Sequence, residues 1–203
     1  MSAGLGVTGL VAMAVASSPA ALNVILGNRI VFYVLLFAQL GFVMAFRAIA
    51  ARMSTVAAGA LFLLYSALTG ATMSVIFLVY TMTSIASVFF ITAGAFAGLS
   101  AVGFFTKRDL SAIGRFAIFA LIGLLIAMLV NMFVASAGLN LAIAAIGVLI
   151  FGALTAYDTQ KLKALFASGE VEGNWPLVGA LVLYLDFINM FLFLLQLFGR
   201  RRD

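Results

Sequence analysis

The chain has no cysteine and no histidine, and of its 203 residues only 8% are charged. Each scarcity removes chemistry. Without cysteine there are no disulfides, thiolate metal sites or cysteine nucleophiles. Without histidine there is no Ser-His hydrolysis, no histidine-ligated haem and no HExxH zinc site. The near-absence of charge, against a 66% hydrophobic composition, removes the soluble folds. An ordinary soluble domain is roughly 45–50% apolar and about 25% charged, and no interior of this size hides so much apolar surface. Composition therefore predicts one all-α, polytopic membrane domain spanning 1–203.

The net charge of +5 does not indicate a nucleic-acid partner. The Lys and Arg residues fall between or beside apolar runs, as in membrane-facing loops, with no interleaved aromatic-basic stripe. The partner expected from composition is the lipid bilayer.

The apolar runs set the spans. Residues 1–28 carry no charge, and a short first span ends at Ser17-Ser18-Pro19. A secretory signal would need a basic n-region, but the first cation is Arg29. A second span closes at Arg47 and Arg52. Met53 to Thr106 then runs without a charge, enough for two helices of about 20 residues each and a turn near Tyr80–Ser84. Phe116 to Tyr157 is likewise uncharged and holds two more, turning at Ala135–Asn140. The predicted spans are 3–18, 30–46, 58–79, 84–105, 115–134, 139–157 and 177–198. Long apolar segments must be helical because lipid satisfies no backbone polar group.

Orientation follows from the basic loops. Arg47/Arg52, Lys107/Arg108/Arg115 and Lys161/Lys163 follow spans two, four and six, which places those loops and the N-terminus in the cytoplasm. Arg200, Arg201 and Arg202 then fall outside, against the rule. Either the tail is tolerated there or one late segment is re-entrant. The expected membrane is the bacterial plasma (inner) membrane.

Against this background two aspartates stand out. Asp186 has no charged neighbour between Gly173 and Gly199, so it lies deep in the last span. An ionised group there costs at least about 2.5–3.5 kcal/mol, so a charged residue at that depth is read first as functional. Asn189 and Gln196 extend a polar stripe along its face, and helix-to-helix hydrogen bonding is their plainer role. Tyr184, at similar depth, needs a partner for its hydroxyl and is a candidate member of the Asp186 cluster. Asp158 ends span six, three residues before Lys161, where an ordinary surface ion pair is the plainer reading. Were the two carboxyls to meet, they would titrate as one unit. The Gly94-to-Gly98 GxxxG reads as close internal packing more readily than as a dimer face. Tyr157 and Trp175 read as interfacial anchors.

At these positions the chain resembles the Bax inhibitor-1 family, the transmembrane Bax-inhibitor-motif proteins. The matching stretches are Leu154-Thr155-Ala156-Tyr157-Asp158-Thr159-Gln160-Lys161-Leu162-Lys163 and Ala180-Leu181-Val182-Leu183-Tyr184-Leu185-Asp186-Phe187-Ile188-Asn189. Ile76-Phe77-Leu78-Val79-Tyr80-Thr81 and Thr106-Lys107-Arg108-Asp109-Leu110-Ser111 support the likeness. The resemblance implies seven transmembrane helices with the last one central. It also implies a proton sensor formed by Asp158 and Asp186, with Arg52 competing for one of them, and a pH-sensitive calcium leak of the prokaryotic kind. Eukaryotic members are linked to suppression of cell death. Where some relatives carry a glutamate in span two, this chain has only Gln39. The family usually carries a polar arm ahead of span one, and here that upstream arm is expected to be missing or very short.

The function expected is thus a passive calcium channel with Asp158 and Asp186 as gate, supported by Arg52, Asn189 and Tyr184. Any metal contact would be transient calcium at the two aspartates, with protons and calcium as small partners and no cofactor. The alternative is a non-conducting regulator that binds other membrane proteins. An enzyme is not expected. The Tyr157-Asp158 dipeptide is like that of aspartyl intramembrane proteases, but no Gly-x-Gly-Asp surrounds Asp186.

Overall fold

The computed structural model describes residues 1–50, 52–169 and 173–202, leaving aside the side chains of residues 26, 29, 32 and 47. The anchoring expected of Arg47 concerns one of those side chains and lies outside what is described. Nine helices form among the described residues: α1 Ser2–Ala16, α2 Pro19–Leu26, α3 Arg29–Ala50, α4 Thr55–Met73, α5 Ile76–Val79, α6 Met82–Phe105, α7 Ser111–Val134, α8 Ala137–Ala167 and α9 Trp175–Phe198.

Among the described residues five helical segments are long and apolar enough to cross a bilayer: Thr55–Val79, α6, α7, α8 and α9. A sixth is reached if α1 and α2, bent by 104° at their junction, count as one broken span. The segment expected at 30–46 is α3, whose described side chains form an apolar stretch over Tyr33–Phe46. The α1–α2 break has a local cause. Ser18 takes an extended conformation, its hydroxyl accepts from the Ala21 N–H at 3.3 Å, and Pro19 occupies the first turn, the arrangement that starts a new helix.

One other junction is set by a side chain. At the α7–α8 turn Ala135 adopts a left-handed φ of 52°. Asn131 holds the turn, its Oδ1 accepting from the Ser136 N–H at 3.0 Å and its Nδ2 donating to Asn140 Oδ1 at 2.7 Å. The expected loop from Thr159 to Pro176 is shorter than composition implied, because α8 continues to Ala167. Thr159, Gln160, Lys161 and Lys163 are therefore helical. The fall in hydropathy after Tyr157 marks where apolar character ends, and polar residues with good helix propensity carry the backbone on.

The chain forms two compact units. The first comprises Met1–Met82, Val171–Tyr184 and Arg201–Asp203. Within it α1 lies along α4, and α3 packs on both α2 and α4. Gly70 lets α4 approach the backbone of Thr8, and Gly4 does the same against Phe62 and Ser66. The tail closes back on this unit: the Arg202 N–H donates to the Val79 carbonyl at 2.9 Å, and Arg201 makes an antiparallel bridge with Tyr80.

The second unit comprises Thr83–Glu170 and Leu185–Arg200. Here α7 lies along α8. A β-carbon at Gly103 would meet the carbonyl of Ala156, one at Gly114 the ring of Tyr157, and one at Gly147 the ring of Phe193. Tyr157 is thus half-buried against Gly114. The glycines of the Gly94–Gly98 motif do not pack internally as expected. Both are exposed, and a β-carbon on either would meet nothing. Helix α9 contributes to both units and is the most buried candidate span, 61% of its most apolar stretch being covered by protein.

Candidate functional site

The second unit brings Asp158 of α8 and Asp186 of α9 together, joined by a hydrogen bond between their carboxyl groups. Asp186 is 5% exposed, while Asp158 is half-buried. Two ionised carboxylates are acceptors only, so a hydrogen bond between them requires a proton on one. The bond uses part of the Asp186 carboxyl; its Oδ2 is buried and has no partner among the described residues. Such an orphan acceptor in a protein interior is uncommon and calls for a physical explanation.

The wall beside Asp186 is aromatic. The next residue on α9, Phe187, packs edge-on against Phe89 and Phe96 of α6, with centroids 5.5 Å away in each case. Phe191 meets Phe89 at 6.2 Å. Asn189, one helical turn on, is half-buried and donates its Nδ2 to the Leu185 carbonyl at 2.8 Å. It therefore bonds its own helix and not a neighbouring one, and its amide oxygen remains as an acceptor. Gln196, placed by spacing on the same polar stripe, is exposed.

Tyr184 and Arg52 belong to the first unit. Arg52 is exposed, and its backbone N–H closes the end of α3 by donating to the Ile49 carbonyl at 3.0 Å. Tyr184 is fully buried, and its hydroxyl lies 2.7 Å from that of Thr8. The Thr8 hydroxyl also contacts the Gly4 and Ser66 carbonyls, both at 2.9 Å. Carbonyls only accept, so Thr8 gives its proton to them and Tyr184 donates to Thr8. The expected association of Tyr184 with Asp186 is replaced by this hydroxyl pairing.

That pairing is part of a polar cluster that sequence reading missed. Ser66, Thr69 and Thr72 recur every third residue along α4. Gln39 of α3 accepts from Thr69 at 3.3 Å, and donates to Thr72 at 3.3 Å and to the Leu35 carbonyl at 3.1 Å. The signal was the three-residue spacing of hydroxyls together with the one amide in span two. Among the described residues no group of three or more His, Cys, Asp or Glu converges on a point. The acidic site is a pair.

Apolar helices of this length carrying a buried aspartate paired with a half-buried one define a polytopic membrane protein. The sequence model of the family described as inhibitor of apoptosis-promoting Bax1 matches residues 1–203, and the chain belongs to that Bax inhibitor-1 family. It is 46% identical to the inner membrane protein YbhL of Escherichia coli strain K12 over 207 aligned positions, covering all of this chain and 88% of the relative. An uncharacterized Borreliella burgdorferi protein is 44% identical, with 100% and 89% covered. One from Deinococcus radiodurans is 46% identical, with 100% and 87% covered. The chain is an integral protein of the bacterial inner membrane.

Proposed function

We propose that the chain is a passive calcium leak whose conducting state is set by proton occupancy of Asp158 and Asp186. The observation that carries this reading is the carboxyl-to-carboxyl hydrogen bond beside a buried, unpartnered Asp186 Oδ2. With one proton present the pair is closed on itself. With both groups ionised, two like charges in contact repel, by a few kcal/mol for any pair at about 4 Å and an effective dielectric of about 20. That is enough to drive α8 and α9 apart locally, or to recruit a cation between them. Calcium takes 6–8 oxygens, so two carboxylates and the Asn189 amide oxygen make a transit point completed by carbonyls and water, not a storage site.

The test is calcium flux into liposomes holding only the purified protein, measured across a pH series. Flux should vary with pH in the parent chain, and the dependence should vanish in Asp158→Asn and Asp186→Asn. An unaltered pH profile in both variants ends the gating idea.

The family description, which names inhibition of an apoptosis promoter, favours a second reading: a non-conducting regulator that binds other membrane proteins. Under it the purified chain passes no calcium at any pH, and crosslinking in membranes recovers a protein partner.

A further inference from the structure

Away from the aspartates, the second unit has a cleft of about 400 Å³ where the α6–α7 connection folds over the polar end of α8. Its lining includes Lys107, Arg108, Asp109, Ser111, Tyr157 and Lys161. We propose that this cleft binds the phosphate headgroup of an anionic membrane lipid.

The first support is that the connection is held in shape by its own bonds. Gln160 of α8 clasps it from both sides, its Oε1 accepting from the Leu110 N–H and its Nε2 donating to the Arg108 carbonyl, each at 2.9 Å. Asp109 Oδ1 accepts from the Ser111 N–H at 2.8 Å, and Thr106 Oγ1 from the Arg108 N–H at 3.3 Å. A cleft ordered before binding spares the ligand most of the cost of ordering it.

The second support is charge. Lys107, Arg108 and Lys161 are exposed on the lining, against one carboxylate there among the described residues, Asp109. That carboxylate is already held by Ser111. Lys161 lies over the Tyr157 ring, its Nζ 5.7 Å from the centroid. Three cations with the Tyr157 side chain offer the donor set that a phosphate takes. Lys163 is excluded from this set. Its Nζ donates to the Phe104 carbonyl at 2.6 Å and lies over the Phe104 ring, where it caps the end of α6.

The third support is position, and it selects a lipid over a soluble anion. The cleft opens where two apolar spans end. Phe105 and Phe116, just inside those ends, are each 75% exposed, and in a bilayer such faces meet acyl chains. Basic pockets at the ends of transmembrane helices are known to take lipid headgroups. Charge that served only to anchor the loop would need neither a cleft nor a clasp.

The experiment follows lipid retention by native mass spectrometry, and the thermal midpoint, of the whole chain in neutral detergent. The probes are phosphatidylglycerol, phosphatidylcholine and soluble glycerol 3-phosphate. Phosphatidylglycerol should be retained and raise the midpoint, and the other two should not. The Lys107→Ala/Arg108→Ala/Lys161→Ala variant should hold it about tenfold or more weakly. Gln160→Ala, with every charge kept, should also weaken it. Arg200→Ala/Arg201→Ala/Arg202→Ala should hold it as the parent does. The proposal is overturned if the arginine control loses as much as the cleft variant, since general attraction then explains the binding. It is equally overturned if the cleft variant and Gln160→Ala keep the lipid, or if glycerol 3-phosphate binds as well as the lipid.

Discussion

Tyr184 and Thr8, 176 residues apart in the chain, meet through their hydroxyls at 2.7 Å. The bond ties α9 to α1 inside the first unit, with the Tyr184 ring held edge-on by Phe62 at 5.6 Å and Tyr65 at 6.0 Å.

Tyr184→Phe keeps those ring contacts and removes only the hydroxyl. It should lower stability in detergent by about 0.6–1 kcal/mol, the range for such bonds in membrane proteins and in general. The same variant should leave any pH dependence of calcium flux intact, because Tyr184 bonds within the hydroxyl cluster and not to Asp186. Thermal unfolding and liposome flux on one preparation check both halves.

The aspartate pair should be non-additive. Asp158→Asn and Asp186→Asn each replace a shared-proton bond with an amide contact, and the second substitution acts on a pair already altered. A double-mutant cycle by denaturant unfolding should give a coupling of about 0.5–3 kcal/mol, as for groups in contact. A coupling within error of zero would mean that the two side chains do not interact.

Gly103→Ala should destabilise by about 1–3 kcal/mol, because its β-carbon would meet the Ala156 carbonyl and backbone yields less readily than a side chain. Gly94→Ala, which meets nothing, should be neutral or slightly stabilising through helix propensity. Comparing their thermal midpoints separates packing glycines from merely permissive ones.

Asn174 is 4% exposed, and its Nδ2 donates to the carbonyls of Ala50 at 2.9 Å and Met53 at 2.6 Å. Asn174→Ala removes both of these bonds, leaving the Ala50 carbonyl with the Met53 N–H alone at 3.3 Å, and should cost about 1–3 kcal/mol. The end of α3 should loosen with it, so trypsin should cut after Arg52 faster than in the parent. An unchanged cleavage rate would show that this clasp does not hold the α3–α4 turn.

Most of the helical order was legible in the residues themselves. The uncharged stretches gave spans that fall on α4, α6, α7, α8 and α9, and Ser17-Ser18-Pro19 marked the real end of α1. What hydropathy misjudged lay at its edges. It ended the sixth span at Tyr157 although α8 runs on to Ala167, because it measures fitness for lipid and not for helix. It also passed over α2, whose sharp bend against α1 is a matter of backbone direction, to which composition is blind.

Sequence alone determined that this is an all-helical membrane chain carrying two acids in unusual places, since both follow from the cost of putting charge and bare backbone in lipid. Only tertiary structure decided which side chains meet. It joined Asp158 to Asp186, sent the Tyr184 hydroxyl to Thr8, opened Gly94 and Gly98 to the outside, and closed Gln160 over the α6–α7 connection. Residue spacing fixes which positions share a helix face. Contact between helices depends on their rotation and approach, and these come from packing across segments that no local pattern records.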